Sequence, residues 1–147
     1  HWQDPGPFGC LGLGLPFAIA AKLARPEKQV LALYGDGSFG FNGMELDTAL
    51  RHRLPIVVVI GNDAAWGEMK RPQLYAGGPQ RVVATDLLPS RYDIVAKGLG
   101  CYGELVEKPA EIRPALQRAF ASGIPACINV MIDPNAPYES PGGRGFH

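Results

Sequence analysis

Near the middle of the chain runs Pro55-Ile56-Val57-Val58-Val59-Ile60, with no polar side chain in it. A strand with one wet face alternates apolar and polar residues. A run without alternation reads as a strand buried on both faces, as in the centre of a parallel sheet. A parallel strand needs a crossover to reach its neighbour, so helices must lie between strands. The flanking sequence supplies them. The spacing predicts a helix over 11–25, stopped by Pro26, and a strand over Gln29–Tyr34 bounded by Gly35. Helical spacing returns over Phe39–His52, where Asp47 and Arg51 form a favourable i,i+4 pair. After the central strand the pattern weakens to a short helix over 64–70 and a long loop marked by Pro72, Gly77, Gly78 and Pro79. Ser90 is placed to cap a helix running to Gly98. A strand over Tyr102–Val106, a helix over Pro109–Ser122 ended by Gly123, and a strand over Ala126–Ile132 follow. The reading is an α/β fold, a mostly parallel sheet with helices on both faces. In such folds ligands bind at the carboxyl ends of the strands.

The chain has 147 residues, enough for one ordinary domain. Apolar residues make up 46%, which can build a core. Fourteen Lys and Arg balance fourteen Asp and Glu, so the net charge is zero; a nucleic-acid or acidic-membrane binder would need a basic excess. Cys10, Cys101 and Cys127 are odd in number and far apart, and read as reduced thiols of a cytoplasmic protein. No membrane-length apolar run or targeting segment is visible. The chain opens on His1-Trp2-Gln3-Asp4 without a methionine, so part of a longer polypeptide is expected.

Two loops fall at the predicted ligand edge. The first is Gly35-Asp36-Gly37-Ser38. Its glycines permit close backbone approach, and a helix start offers free N–H groups to an anion. An acid beside an anion site makes sense when a divalent cation lies between them. A plain turn with an Asp or Ser cap reads equally well. The second loop, Gly61-Asn62-Asp63, follows the buried strand. Alone it reads as an ordinary turn. Asp63 stands 27 positions after Asp36, room for one helix and one strand, which would bring the two acids together. Two carboxylates, a carbonyl and phosphate oxygens suit an octahedral Mg²⁺.

Gly-Asp-Gly followed just under thirty residues later by an Asn-Asn-type pair resembles the diphosphate-binding motif of thiamine diphosphate enzymes. The segment from Gly35 to Asp63, the opening from Asp4 to Pro26 and the run Gly61-Asn62-Asp63-Ala64-Ala65-Trp66 resemble the 2-hydroxyacyl-CoA lyases most. They are also similar to oxalyl-CoA decarboxylases and acetolactate synthases. The resemblance implies a thiamine diphosphate- and Mg²⁺-binding domain over 1–133. Asp36, Asp63 and the Ala65 carbonyl would hold the metal, with Gly35, Gly37, Ser38, Asn62 and Gly67 around the diphosphate. The family usually has Asn at position 63. Gly9 would lend its carbonyl to the cofactor's amino group, and Leu11 would be the apolar wedge that bends it. Gly12 and Gly14 would allow a close helix approach. Read without the family, Gly12-Leu13-Gly14 lacks the strand and third glycine of a dinucleotide loop.

Trp66 reads either as a cofactor- or substrate-lining aromatic or as a packed core tryptophan. Glu68, Met69 and Arg71 would line the entrance. Cys10 lies in the implied pocket and reads as a small packing residue rather than a nucleophile. His52 is expected to be solvated at a helix end. The tail over 134–147, with Arg144, reads as a disordered terminus or as a lid over an acyl-CoA. The resemblance implies reversible C–C cleavage of a 2-hydroxyacyl-CoA to formyl-CoA and an aldehyde or ketone. It also implies a homodimer or homotetramer. The activating acid would sit in a separate pyrimidine-binding domain, with a central domain beside it, so the chain alone is expected to be inactive. The alternatives are a synthase or decarboxylase with the same motifs, a non-catalytic cofactor-binding or assembly subunit, and a nicotinamide dehydrogenase.

Overall fold

The computed structural model describes residues 1–136. Four strands form the sheet: β1 (Leu31–Gly35), β2 (Val57–Asn62), β3 (Tyr102–Val106) and β4 (Ala126–Met131). All pair in parallel, in the order β1-β2-β4-β3. The helices are α1 (Gly14–Ala24), α2 (Asp36–Asn42), α3 (Glu45–Arg51), α4 (Gly67–Gly77), α5 (Tyr92–Gly98) and α6 (Pro109–Ala121).

The unbroken apolar run becomes β2, flanked on both sides, and its first two residues are buried on opposite faces. The chain moves one way along the sheet from β1 to β2 to β3, then turns back to insert β4. Right-handed crossovers that travel in opposite directions must lie on opposite faces. Accordingly Leu15, Leu46, Ala49 and Ala96 from α1, α3 and α5 pack with Val58, Ile60 and Cys127 on one face. On the other, Ala115 and Ala119 of α6 pack with Val57, Ile128 and Val130. The expected fold class therefore holds. Among the described residues no helix is long and apolar enough to cross a membrane. Cys10, Cys101 and Cys127 are free thiols.

Three local expectations are corrected. The helix expected over Phe39–His52 starts earlier, on Asp36, directly at the end of β1, and breaks into α2 and α3. At the break, Leu46 N–H bonds Gly43 C=O and Asp47 N–H bonds Met44 C=O, a tighter turn than α. Gly40 and Gly43 weaken the helix there. Second, α4 runs on through Pro72 to Gly77, where a loop was expected. The bond that proline removes is to Glu68 in the first turn, which is exposed, so the loss falls where water can replace it. Third, Ser90 does not cap α5. The N-cap is Arg91, without a side-chain cap bond, and the Ser90 carbonyl is used elsewhere.

Candidate functional site

The carboxyl ends of β1 and β2 lie side by side, with Gly35 paired to Gly61. Asp36 is thereby placed as the first residue of α2, and Asp63 follows the last residue of β2. Asp36 is 1% exposed, and its Oδ2 has no hydrogen-bond partner among the described residues. Its carboxyl is held above the ordinary Asp range, first by burial and next by the charge of Asp63 facing it; the Gly37 N–H opposes this only in part. A buried carboxylate oxygen without a donor costs free energy, and a second carboxylate beside it adds to that cost. A divalent cation between them would remove both penalties. The pair thus fits a hard cation on its own chemistry.

The backbone around Asp63 is held by several contacts. Ala64 adopts a left-handed φ of 54°, unusual for a residue with a Cβ. Ala65 forms an isolated antiparallel bridge with Asp86. The bonds of that bridge are made by its neighbours: Trp66 N–H to Thr85 C=O and Leu87 N–H to Ala64 C=O. The carbonyl of Ala65 takes no part in them, which leaves it available as a third oxygen ligand. Asn62 is fully buried and turned inward. Its Oδ1 accepts from Ala64 N–H at 3.2 Å, and its Nδ2 donates to Asn129 Oδ1 and to Ser90 C=O. Its side chain shapes the turn from beneath.

Trp66 closes the site from one side. A Cβ on Gly37 would lie 2.6 Å from its ring, so the indole rests directly on the Gly37 backbone. Phe41 meets it edge-on at 5.7 Å. The indole is half-buried and belongs to neither core cluster. Gly67 touches Asp63: a Cβ there would lie 2.8 Å from Oδ2.

The first glycine-rich segment is tied to this edge. Gly12 N–H donates to Ser38 Oγ at 3.1 Å. The Tyr34 hydroxyl accepts from Leu15 N–H and donates to Gly12 C=O. The close approach expected at Gly12 and Gly14 is real, but it is to Phe41 and the Tyr34 ring. Gly9, Cys10 and Leu11 are exposed, Leu11 by 53%, so an apolar side chain stands in solvent where the wedge was expected. Cys10 is not packed as a small core residue. Met69 is 58% exposed and Glu68 is exposed, while Arg71 comes within 3.8 Å of the Gly67 Cβ position. His52 is exposed at the end of α3, as expected. Arg144 and the possible lid lie outside the described residues. A cavity of about 590 Å³ lined by Arg91, Lys97, Glu104 and Arg118 holds none of the predicted site residues. Sequence reasoning gave no site role to Tyr34, Ser90 or Asn129. The last carried a visible signal, a polar residue inside the apolar run Ala126–Met131.

Residues 1–130 match the family model described as the thiamine pyrophosphate enzyme, C-terminal TPP binding domain. The chain belongs to this family. It is 56% identical over 138 residues to a probable acetolactate synthase of Mycobacterium bovis, covering 93% of this chain and 25% of that protein. To 2-hydroxyacyl-CoA lyase 2 of Caenorhabditis elegans it is 47% identical, covering 90% of this chain and 21% of the relative. Among solved structures it is similar to a thiamine diphosphate-dependent 4-hydroxybenzoylformate decarboxylase of Rhodococcus jostii, with TM-score 0.78 and 30% identity over 86% of this chain and 24% of that one. The chain therefore spans about a quarter of the length of the first relatives it matches.

Proposed function

We propose that this chain is the diphosphate-binding part of a thiamine diphosphate- and Mg²⁺-dependent carbon–carbon lyase acting on 2-hydroxyacyl-CoA thioesters. The observation that supports the cation part of this reading is the buried Asp36 Oδ2, without a donor among the described residues and facing Asp63; the likeness to 2-hydroxyacyl-CoA lyase 2 supports the substrate class. When bound, the cofactor supplies the nucleophilic carbon that adds to a carbonyl and stabilises the charge left by C–C cleavage. This chain's residues do the rest. Asp36, Asp63 and the Ala65 carbonyl would hold Mg²⁺, whose charge would offset that of the diphosphate. Gly37 and Ser38 let that anion approach the backbone closely. Trp66 covers the site and excludes water. Leu11 and Gly9, both exposed at this edge, would supply an apolar contact and a backbone carbonyl to the cofactor. Met69, exposed near the end of this edge, would meet the acyl group.

The activating acid and the remaining substrate surface come from other domains and from a second copy in a homodimer or homotetramer. The decisive experiment uses the intact protein: thiamine diphosphate binding is titrated with and without Mg²⁺, then products are analysed from a 2-hydroxyacyl-CoA and from pyruvate. Aldehyde or ketone plus formyl-CoA supports the lyase. Acetolactate from pyruvate supports the second reading, an acetolactate synthase, which the 56% identity to a probable one favours. Failure to bind the cofactor refutes both.

A further inference from the structure

The metal loop rests on a buried amide pair, and one member lies on a strand that carries none of the proposed cofactor residues. Asn62 ends β2, and Asn129 lies in β4, level with Ile60 of β2. Partners in parallel strands point to the same face, so the two amides meet beneath the loop, on the α5 side of the sheet. Both are fully buried. Asn62 Nδ2 donates to Asn129 Oδ1 at 3.1 Å, and both Nδ2 groups donate to the Ser90 carbonyl at 3.0 Å. Asn129 also lies beside Asp93, whose carboxylate is clamped by Arg91 through two bonds.

Only one orientation of the Asn62 amide satisfies this set. With Nδ2 turned to Ser90 and Asn129, Oδ1 is left to accept from Ala64 N–H. That bond holds Ala64 in its left-handed conformation, and Ala64 is the peptide between Asp63 and Ala65. We infer that Asn129 is a positioning residue for the cation site: it fixes the Asn62 amide, and through Ala64 it aims the Asp63 carboxylate and the Ala65 carbonyl at a common point. The inference rests on the cation-site reading of Asp36 and Asp63. Groups that orient ligands without touching the metal typically govern about 10–100-fold in metal affinity.

The test measures Mg²⁺ affinity at saturating thiamine diphosphate in the intact protein, with the unliganded thermal midpoint read alongside. Asn129→Ala is expected to weaken Mg²⁺ at least about tenfold. Ile128→Val, on the same strand but the opposite face, is expected to lower the midpoint and leave Mg²⁺ affinity unchanged. Asn129→Ser keeps a polar group but is too short to reach both partners, and serves if the alanine variant unfolds. Asp63→Ala separates the two levels of the argument. If it weakens Mg²⁺ while neither Asn129 variant does, the positioning role is overturned and the cation site stands. If Asp63→Ala itself leaves Mg²⁺ affinity unchanged, the cation site falls, and this inference with it. Outright unfolding of both Asn129 variants assigns the residue to stability alone and also overturns the inference.

Discussion

Asp36→Asn separates stability from binding in opposite directions. In the parent without metal, a carboxylate that is 1% exposed keeps one oxygen unpartnered and faces a second carboxylate. Leaving a buried polar group unsatisfied costs about 1–3 kcal/mol. The amide keeps the shape, removes the charge and offers Asp63 a donor. The variant without metal is therefore expected to be more stable at neutral pH by about 1–3 kcal/mol. The pH dependence gives a second readout. The folded-state Asp36 carboxyl sits above its unfolded value of 3.8, so it binds a proton more readily in the folded protein. The stability it contributes is fully present below the unfolded value and is lost as pH rises through the raised one. The substitution should abolish that decline. Adding Mg²⁺ and thiamine diphosphate should raise the midpoint of the parent by linkage and leave the variant unmoved. The assay is differential scanning fluorimetry of the intact protein, with and without ligands, across pH. A variant that is less stable without metal and still gains from Mg²⁺ would refute the reasoning that Asp36 is a strained ligand.

Three further outcomes follow from the same geometry. Tyr34→Phe leaves the buried Leu15 N–H without its acceptor and should lower the midpoint by an amount equivalent to about 1–3 kcal/mol, read by thermal unfolding. Gly37→Ala places a methyl 2.6 Å from the Trp66 ring, so the indole must move; thiamine diphosphate affinity should fall and Trp fluorescence shift, and an unchanged spectrum would remove the indole from the site. Asp63→Asn restores the residue the family usually carries, yet hard cations prefer carboxylate, so Mg²⁺ should bind the variant no more tightly than the parent. Isothermal titration decides this, and much tighter binding in the variant would count against Asp63 as a ligand.

Local chemistry carried much of this architecture. The unbroken run before Ile60 required a strand covered on both faces, and the helical spacing of Ile112, Leu116 and Phe120 placed α6 within a residue of where it lies. The two acids could be matched by their spacing alone, because one crossover unit has a nearly fixed length. What local pattern could not supply was any contact made across the sheet. The break between α2 and α3 and the passage of α4 through Pro72 depend on what each turn packs against, which propensity does not report. The site shows the same division. The types and spacing of Asp36, Gly37, Ser38 and Asp63 were written in the chain, and they are what the proposed anion and cation site needs together. The inward turn of Asn62, the left-handed Ala64 and the support from Asn129 and Ser90 were not, because they join residues up to 67 positions apart. Only the insertion of β4 between β2 and β3 brings Asn129 beneath the loop, and a sequence read along its length has no term for which strand will become a neighbour.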